Sequence, residues 1–192
     1  MNNNIQIILA STSPIRRLMM EESNLIFEAR KPECDEEELK KSLSDLKLSK
    51  LALELAKAKA KTISELFPNA YVIGSDQICE IEGEIISKSK NYEEAFDTLQ
   101  KLSGKTHIQN NGTCIYHNSL PFFNHVEQAR LTMKKLNEKE IKDYISKDDP
   151  IGCAGSYKYE LNGKNLFEKV EGSEECIKGF AISKVKKFLE NT

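Results

Sequence analysis

Two short stretches of the sequence place hydroxyl and charged side chains directly after a hydrophobic run. The first is LASTSPIRR, in which a predicted strand from Ile5 to Leu9 is followed by Ser11, a proline and Arg16. Small residues and unpaired N–H groups at the start of a helix favour a bound anion, and Arg16 lies one residue inside that helix, where it can reach back. The stretch therefore predicts a phosphate-binding loop, with an ordinary helix start, capped by Ser13, as the alternative interpretation.

The second stretch is YVIGSD, an apolar run that leads into Gly74, Ser75 and Asp76. We expect the strand to end here. Ligands of open α/β sheets collect outside the carboxyl ends of the strands, so Asp76 should lie beside the loop that holds Ser11. From this position Asp76 would bind a divalent metal ion or accept a proton from water. An aspartate in an ordinary turn is the alternative.

One lysine differs from the others of a long predicted helix, which extends from Asp45 to Phe67. At about 100° per residue Lys59 falls at the centre of the apolar stripe, whereas Lys57 and Lys61 fall on the opposite face. The residues that define the stripe are Leu48, Ala52, Leu55, Ile63 and Leu66. An ammonium group on the core side is costly without a partner, so Lys59 should point at a carboxylate or a phosphate. Extension to water at the edge of the core is the alternative.

Two further charged features are candidates for the same chemistry. Lys88 follows a predicted hairpin that turns at Glu82 and Gly83, and it adds a cation. The acidic run from Asp35 to Glu38 adds candidate metal ligands, although a solvated acidic loop is its ordinary interpretation. The three histidines have no metal-ligand spacing and are interpreted as structural or surface residues.

Composition limits the class of protein. A chain of 192 residues with 39% hydrophobic residues is large enough for one substantial core, and we expect a single domain over residues 1–192. The 28 basic and 30 acidic residues leave a net charge of -2, which predicts binding neither to nucleic acid nor to an anionic membrane. There is no apolar run of about 18 residues and no secretory signal, so we expect a cytoplasmic protein. Five dispersed cysteines without a CxxC pair indicate free thiols.

Short β-rich runs alternate with longer helical patterns, which predicts an α/β fold. Besides the elements above, we expect a helix from Pro14 to Glu22, a helix that is capped by Asn91 and ends at Gly104, and a long hairpin from Lys105 to Met133. A last helix is predicted from Ile177 to Leu189.

Several of these motifs together resemble the Maf family of nucleoside triphosphate pyrophosphatases, and they occur in the order of that family. They are LASTSPIRR, ECDEE, the Lys59 helix, VIGSDQICEIEGEIISK, LSGKTH, CAGSYKYE and EKVEG. The segments SDQ and CAGS are most similar to the YceF-like branch, which hydrolyses 7-methyl-GTP. The resemblance implies a mixed, extended, twisted sheet flanked by helices, with two lobes around a central cleft, and a homodimer.

The resemblance also implies roles for single residues. Asp76 matches the family's proton acceptor. The phosphate, metal and charge-neutralising positions are matched by Ser11, Arg16, Glu36, Lys59 and Lys88, with Mg²⁺ or Mn²⁺ held by Glu36 and Asp76. The base-selecting positions are matched by Ile15, Gln77 and Glu160. A carboxylate such as Glu160 accepts from the N–H groups of a guanine edge, which favours a guanine nucleotide.

The sequence departs from the branch at Ile15, where a tryptophan is usual, and at Ser89, where a proline is usual. An isoleucine lacks the cation–π contact that an indole makes with a methylated, cationic base. The leading hypothesis is therefore metal-dependent hydrolysis of 7-methyl-GTP or a related guanine nucleotide to the monophosphate and pyrophosphate. The alternatives are a pyrophosphatase for dTTP, UTP or a broad range of nucleotides, and a non-catalytic nucleotide-binding regulator of septum formation.

Overall fold

The computed structural model describes residues 6–192, so Ile5 of the predicted first strand lies outside the described residues. The strands are β1 (Ile7–Ala10), β2 (Glu28–Arg30), β3 (Tyr71–Ile81), β4 (Glu84–Ile86), β5 (Thr106–His117), β6 (Leu120–Met133) and β7 (Phe167–Glu171). The helices are α1 (Pro14–Glu22), α2 (Glu36–Ser42), α3 (Leu48–Leu66), α4 (Tyr92–Leu102), α5 (Glu138–Asp148), α6 (Glu174–Ile177) and α7 (Ile182–Glu190), and a 3₁₀ helix spans Asn162–Leu166.

The strands form one mixed sheet. Its order is β2-β1-β3-β5-β6-β7, and β4 pairs with β3 outside this path. β1 is parallel to β2 and to β3, whereas β4 is antiparallel to β3 and β7 is antiparallel to β6. The predicted fold class, an α/β protein with a mixed sheet flanked by helices, is confirmed.

The described residues divide into two compact units. The first contains the residues up to Gln77 together with Asn111–Glu127 and Gly179–Thr192, and the second contains Ile78–Asn110 and Gln128–Lys178. The organisation of residues 1–192 as a single domain stays a prediction.

Both faces of the sheet are covered in the first unit, and the period of the strands decides which side chain faces which layer. Ile8 and Val72 belong to a buried cluster with Ala56, Ala60 and Ile63 of α3. Their neighbours in sequence belong to a second cluster, which also receives side chains from α1 and α7: Leu9, Met19, Met20, Ile73, Phe180 and Val185. Two-sided burial explains why β1 and the start of β3 are continuously apolar.

The second unit has its own core. Leu99 of α4 and Ile141 of α5 are buried together with apolar side chains of the strands. The strand residues of this cluster include Cys79, Ile81, Ile86, Ala129, Leu131, Met133 and Phe167.

Several local predictions are confirmed. α1 begins at Pro14 and ends at Glu22, with Ser13 at the N-cap position. The side chain of Asn91 accepts a hydrogen bond from the Glu94 N–H at the start of α4. The turns of the β3–β4 and β5–β6 hairpins each consist of two residues with positive φ, as type I′ turns require: Glu82 and Gly83, and Asn118 and Ser119.

The prediction of a loop at Asp35 to Glu38 is wrong, whereas Asp35, Glu37 and Glu38 are exposed to solvent as predicted. Asp35 is the N-cap of α2, and its carboxylate accepts from the Glu38 N–H at 2.9 Å. The glutamates that follow occupy the first turn of α2, where the helix dipole favours negative charge. A run of carboxylates in this sequence is therefore a helix start.

The prediction of one continuous C-terminal helix from Ile177 to Leu189 is also wrong. Gly179 has a φ of 82°, in the left-handed region, and it lies between α6 and α7. A residue in this conformation ends a helix, so the apolar set is distributed over two short helices.

All five cysteines are free, as the sequence predicts. In the described part of the chain, the helices are too short or too polar to cross a membrane.

Candidate functional site

Asp76 lies within a strand and not in a loop. β3 continues to Ile81, so the prediction that the strand ends at Asp76 is wrong. The parallel ladder with β1 runs from the pair Ile7 and Tyr71 to the pair Leu9 and Ile73. Asp76 thus lies three residues beyond Ile73, the last paired residue of this ladder. At this end of the ladder β1 is followed by the loop that holds Ser11. Extension of the strand keeps Asp76 buried, with 5% of its surface exposed.

Lys59 makes the central contact of the site. Its Nζ lies 2.5 Å from Oδ1 of Asp76 and 3.0 Å from Oε1 of Glu36. Lys59 is 6% exposed, so the prediction from the helical period, an inward lysine directed at a carboxylate, is confirmed. The two carboxylates neutralise the charge of the Lys59 ammonium, whose burial without a counter-charge would be costly.

Close packing of α3 on β3 sets this geometry. A Cβ atom built on Gly74 would lie 2.2 Å from the Ala56 carbonyl oxygen and 2.9 Å from the Ala60 Cβ. Only glycine permits this approach, which places Lys59 of the helix over Asp76 of the strand. Leu66, at the end of the predicted stripe, is 70% exposed, so the buried stripe stops at Ser64.

The other lysines of α3 have different surroundings. Lys57 pairs with Glu54 at 2.8 Å, and the exposed Lys61 lies 3.8 Å from Glu65, one turn further along the same helix. Ion pairs of this kind within one helix contribute little stability. Only Lys59 among these three lysines contacts Asp76.

Arg16 extends the charged cluster from α1. Its Nε donates to the Gly179 carbonyl at 2.9 Å. Burial lowers the pKa of Arg16 below its usual value, while the nearby carboxylates of Asp76 and Glu36 act in the opposite direction. The structure therefore brings together Arg16, Glu36, Lys59 and Asp76, all in the first unit.

Ser11 is buried in the loop after β1. Its hydroxyl accepts from the Ser13 N–H at 3.1 Å, and its own N–H donates to the Leu9 carbonyl at 2.9 Å. Two N–H groups of the predicted phosphate loop are thus already paired within the loop. Phosphate binding at Ser11 stays a prediction.

The two predicted base-selecting residues of the first unit have different surroundings. Ile15 is half-buried in the first turn of α1 and packs against the apolar cluster of Leu9 and Phe180. Gln77 is half-buried and follows Asp76 in β3. Its Oε1 lies 3.0 Å from the point where a Cβ on Gly179 would be, so Gln77 borders the break between α6 and α7.

Lys88 and Glu160 belong to the second unit, and both are exposed. Each contributes to the electrostatic surroundings of the half-buried thiol of Cys153. Burial raises the pKa of Cys153, Glu160 raises it further, and Lys88 lowers it. The charges of these two predicted residues therefore both act on the Cys153 thiol, in opposite directions.

The donors needed for a divalent cation are present in part. An open cavity of about 650 Å³ is lined by Glu36 and its neighbours Glu33, Cys34, Asp35 and Glu37. Within residues 6–192, no group of three or more His, Cys, Asp or Glu side chains has metal-binding geometry. Mg²⁺ is commonly held by only one or two carboxylates together with substrate phosphates, so the convergence of Glu36 and Asp76 fits such an ion.

Buried polar side chains of the adjacent strand β5 were not predicted from the sequence, and one of them, Asn111, donates to the Asp76 main-chain carbonyl. Asn111 and Thr113 of β5 are completely buried, and so is Ser75. The signal was available in QNNGT, a polar run that interrupts the alternating pattern of the predicted hairpin from Lys105 to Met133. Polar groups at such positions need partners, and their presence indicates a specific network.

Comparisons with known proteins give matches along almost the whole chain. The sequence model of the family described as Maf-like protein matches residues 6–192. A protein from Pelagibacter ubique (strain HTCC1062) named nucleoside triphosphate pyrophosphatase is 36% identical over 189 residues, which cover 96% of this chain and 97% of that protein. A protein from Rhizobium etli named 7-methyl-GTP pyrophosphatase is 38% identical over 181 residues, covering 92% of this chain and 91% of that protein. Among solved structures, a HAM1 protein from Coxiella burnetii matches with a TM-score of 0.49 and 14% identity, covering 98% of this chain and all of that one.

An α/β protein with a buried lysine between two carboxylates is thus similar along almost its whole length to one family. The chain belongs to the Maf-like protein family.

Proposed function

We propose that this chain hydrolyses 7-methyl-GTP or a related modified guanine nucleotide to the nucleoside monophosphate and pyrophosphate. The chain is a hydrolase, specifically a nucleoside triphosphate pyrophosphatase. Relatives that share more than a third of its residues have names of this kind. The contact of Lys59 with both Asp76 and Glu36 is the observation that supports placing the active site at these residues.

Asp76 is the proposed acceptor of the proton from the attacking water. Hydrolysis at the α-phosphorus depends on positioning and on neutralisation of negative charge more than on covalent catalysis. A buried carboxylate held at a fixed place by Lys59 suits that role. Coordination of a metal ion is the second role open to Asp76.

Arg16, Lys59 and Lys88 are the proposed cations for the triphosphate, with Ser11 as a hydrogen-bonding partner. In the first unit the two cations already face two carboxylates. A bound triphosphate would therefore add excess negative charge to an electrically balanced cluster.

A divalent cation, Mg²⁺ or Mn²⁺, is proposed to offset part of this negative charge. Glu36 and Asp76 would hold the ion, which would neutralise charge on the triphosphate when bound.

Choice of the base is proposed to depend on Ile15, Gln77 and Glu160. A relative that is 38% identical is named 7-methyl-GTP pyrophosphatase. The carboxylate of Glu160 is exposed and would accept from the N–H groups of a guanine edge.

The test is release of pyrophosphate from a panel of GTP, 7-methyl-GTP, dTTP, UTP and CTP, with Mg²⁺, with Mn²⁺ and with a chelator. We expect the highest kcat/KM with the guanine nucleotides and loss of activity in the chelator. A preference for dTTP or UTP would show that the proposed guanine-nucleotide substrate is wrong. Full activity in the presence of the chelator would show that the reaction does not depend on a metal ion. Tight binding of these nucleotides without turnover would favour the alternative function, a non-catalytic nucleotide-binding regulator of septum formation.

A further inference from the structure

The polar side chains beside Asp76 form an ordered network in the first unit. Ser75 precedes Asp76 in β3, and Asn111 and Thr113 lie on β5, the neighbouring strand. All three side chains are completely buried. Because they lie inside the sheet, solvation by bulk water does not explain them, and each polar atom must find its partner in the protein.

The hydrogen bonds of this network run in one direction when each proton is used once. The Thr113 hydroxyl donates to Oδ1 of Asn111 at 3.1 Å. Nδ2 of Asn111 donates one proton to the Ser75 hydroxyl at 3.2 Å. The Ser75 hydroxyl then donates to the Gly179 carbonyl at 2.9 Å, the shortest of its contacts with a carbonyl oxygen.

Two members of the network, Asn111 and Ser75, are connected to groups of the candidate active site. The second proton of Asn111 Nδ2 is donated to the main-chain carbonyl of Asp76 at 3.0 Å. The Gly179 carbonyl, which ends the chain of donors, also accepts from Nε of Arg16 at 2.9 Å. Asn111 is thus bonded to the backbone of Asp76, and Ser75 shares one acceptor with Arg16.

We propose that Thr113, Asn111 and Ser75 are positioning residues that fix Arg16 relative to Asp76. This inference rests on the proposed function, because it assigns the network to the geometry of that same site. None of the three needs to touch the substrate. Their effect is transmitted through the Gly179 carbonyl and the backbone of β3, and small displacements of reacting groups are costly for catalysis.

The chain offers a matched control for a buried hydroxyl. Ser64 of α3 is completely buried in the same unit, and its hydroxyl accepts from the Ser119 N–H at 3.1 Å. Ser64→Ala therefore removes a buried hydroxyl, and its partly buried hydrogen bond, outside the network. Ser75→Ala removes one inside it. A purely structural role predicts similar consequences for both variants.

The kinetic arm compares Ser75→Ala, Thr113→Val, Thr113→Ser and Ser64→Ala. We expect Ser75→Ala and Thr113→Val to lower kcat about 10- to 100-fold while KM changes by less than about 3-fold. Thr113→Ser restores the hydroxyl and should return kcat to within about 3-fold of the original chain. Ser64→Ala should lower the melting temperature without this loss of kcat.

A second arm measures the geometry without turnover. The Arg16 Nε–H signal in a ¹H–¹⁵N spectrum, assigned by its loss in Arg16→Lys, reports the bond to the Gly179 carbonyl. We expect its exchange with solvent to accelerate in Ser75→Ala and Thr113→Val but not in Ser64→Ala.

The two arms separate failure of this inference from failure of the proposed function. If the unaltered chain releases no pyrophosphate, the proposed function fails, and the exchange rates alone decide whether the network holds Arg16. If the unaltered chain is active, unchanged kcat in Ser75→Ala and Thr113→Val overturns the inference. Unchanged exchange of the Arg16 signal in both variants also overturns it. If Ser75→Ala does not fold, the comparison of Thr113→Val with Thr113→Ser decides whether the network positions Arg16.

Discussion

At the scale of single residues, the candidate site is a balanced set of charges. Lys59 contacts Asp76 and Glu36, and these two carboxylates also act on Arg16. Such a set is stable in the absence of a ligand because each buried charge has a counter-charge. A triphosphate disturbs that balance, and this is why a divalent cation belongs to the proposed reaction.

Asp76→Asn is the first test at this scale. The amide preserves the size of the side chain but accepts no proton and binds a metal ion weakly, so kcat should fall about 100-fold or more. Pyrophosphate release is the measurement, and circular dichroism checks the fold. Asp45→Asn, at an exposed position of the same unit, is the control. Activity near that of the control would show that Asp76 is not the essential group.

Lysine substitutions give the second test. Lys59→Ala should lower kcat/KM far more than Lys57→Ala or Lys61→Ala, because Lys59 alone of the three contacts Asp76. Removal of the buried ammonium also leaves two carboxylates without their cation, so the melting temperature should fall. Equal loss of kcat/KM in all three variants would contradict the assigned role.

Part of this site is predictable from the sequence for a simple physical reason. The helical period alone places Lys59 on the buried face, and burial then requires a partner. The partners themselves are not predictable in this way, since Glu36 lies on a different helix and no local rule brings α2 to α3. The Asn111 network was missed because its bonds cross from β5 to β3 and to Gly179.

At the scale of elements, capping and turn chemistry are the reliable signals. Asn91 starts α4 and the pair Glu82 and Gly83 turns the first hairpin, as their residue types predict. The errors occur where tertiary contacts override the local pattern. β3 continues through Asp76 because β5 lies beside it, and Gly179 divides an apolar pattern that is periodic enough for one helix.

His107 supplies a pH test for the element β5. Burial lowers the pKa of His107 to about 4, and its Nδ1 has no partner among the described residues. The unfolded chain, with a pKa near 6.5, therefore binds a proton more readily than the folded chain as pH falls. The free energy of unfolding should decrease by about 3 kcal/mol in total as pH falls from about 6.5 through 4.

Denaturant titrations of the original chain and of His107→Gln across this pH range measure the effect. Glutamine can still donate to the Tyr157 hydroxyl, which His107 Nε2 approaches at 2.9 Å, but it does not titrate. The difference in unfolding free energy between the two chains should therefore change with pH in the predicted direction. A difference that is constant from pH 7 to 4 would refute the assignment to His107.

At the scale of the whole molecule, the predicted site residues are distributed over both units. Asp76 and Lys59 belong to the first unit, and Lys88 and Glu160 belong to the second. The family match extends over both units, from residue 6 to residue 192. The homodimer stays a prediction. Light scattering of the purified chain at several concentrations measures its molar mass and tests this prediction.

Base selectivity is proposed to depend on Ile15, which belongs to the first unit, and on Glu160, which belongs to the second. Ile15→Trp should widen the ratio of kcat/KM for 7-methyl-GTP over GTP roughly 2- to 30-fold, because an indole adds a cation–π contact of about 0.5 to 2 kcal/mol. Glu160→Gln should weaken both guanine nucleotides relative to UTP. Steady-state kinetics with the three nucleotides measures both effects. A large methyl preference in the original chain that Ile15→Trp leaves unchanged would contradict this account of selectivity.

The central claim is hydrolysis at the α-phosphorus by the site around Asp76, and one measurement tests it most directly. The chain is incubated with 7-methyl-GTP and Mg²⁺ in ¹⁸O-labelled water, and the products are analysed by mass spectrometry. We expect 7-methyl-GMP that carries one ¹⁸O atom and unlabelled pyrophosphate, and we expect Asp76→Asn to form these products about 100-fold more slowly or slower still. Label in pyrophosphate, release of orthophosphate, or equal turnover by Asp76→Asn would contradict the central claim.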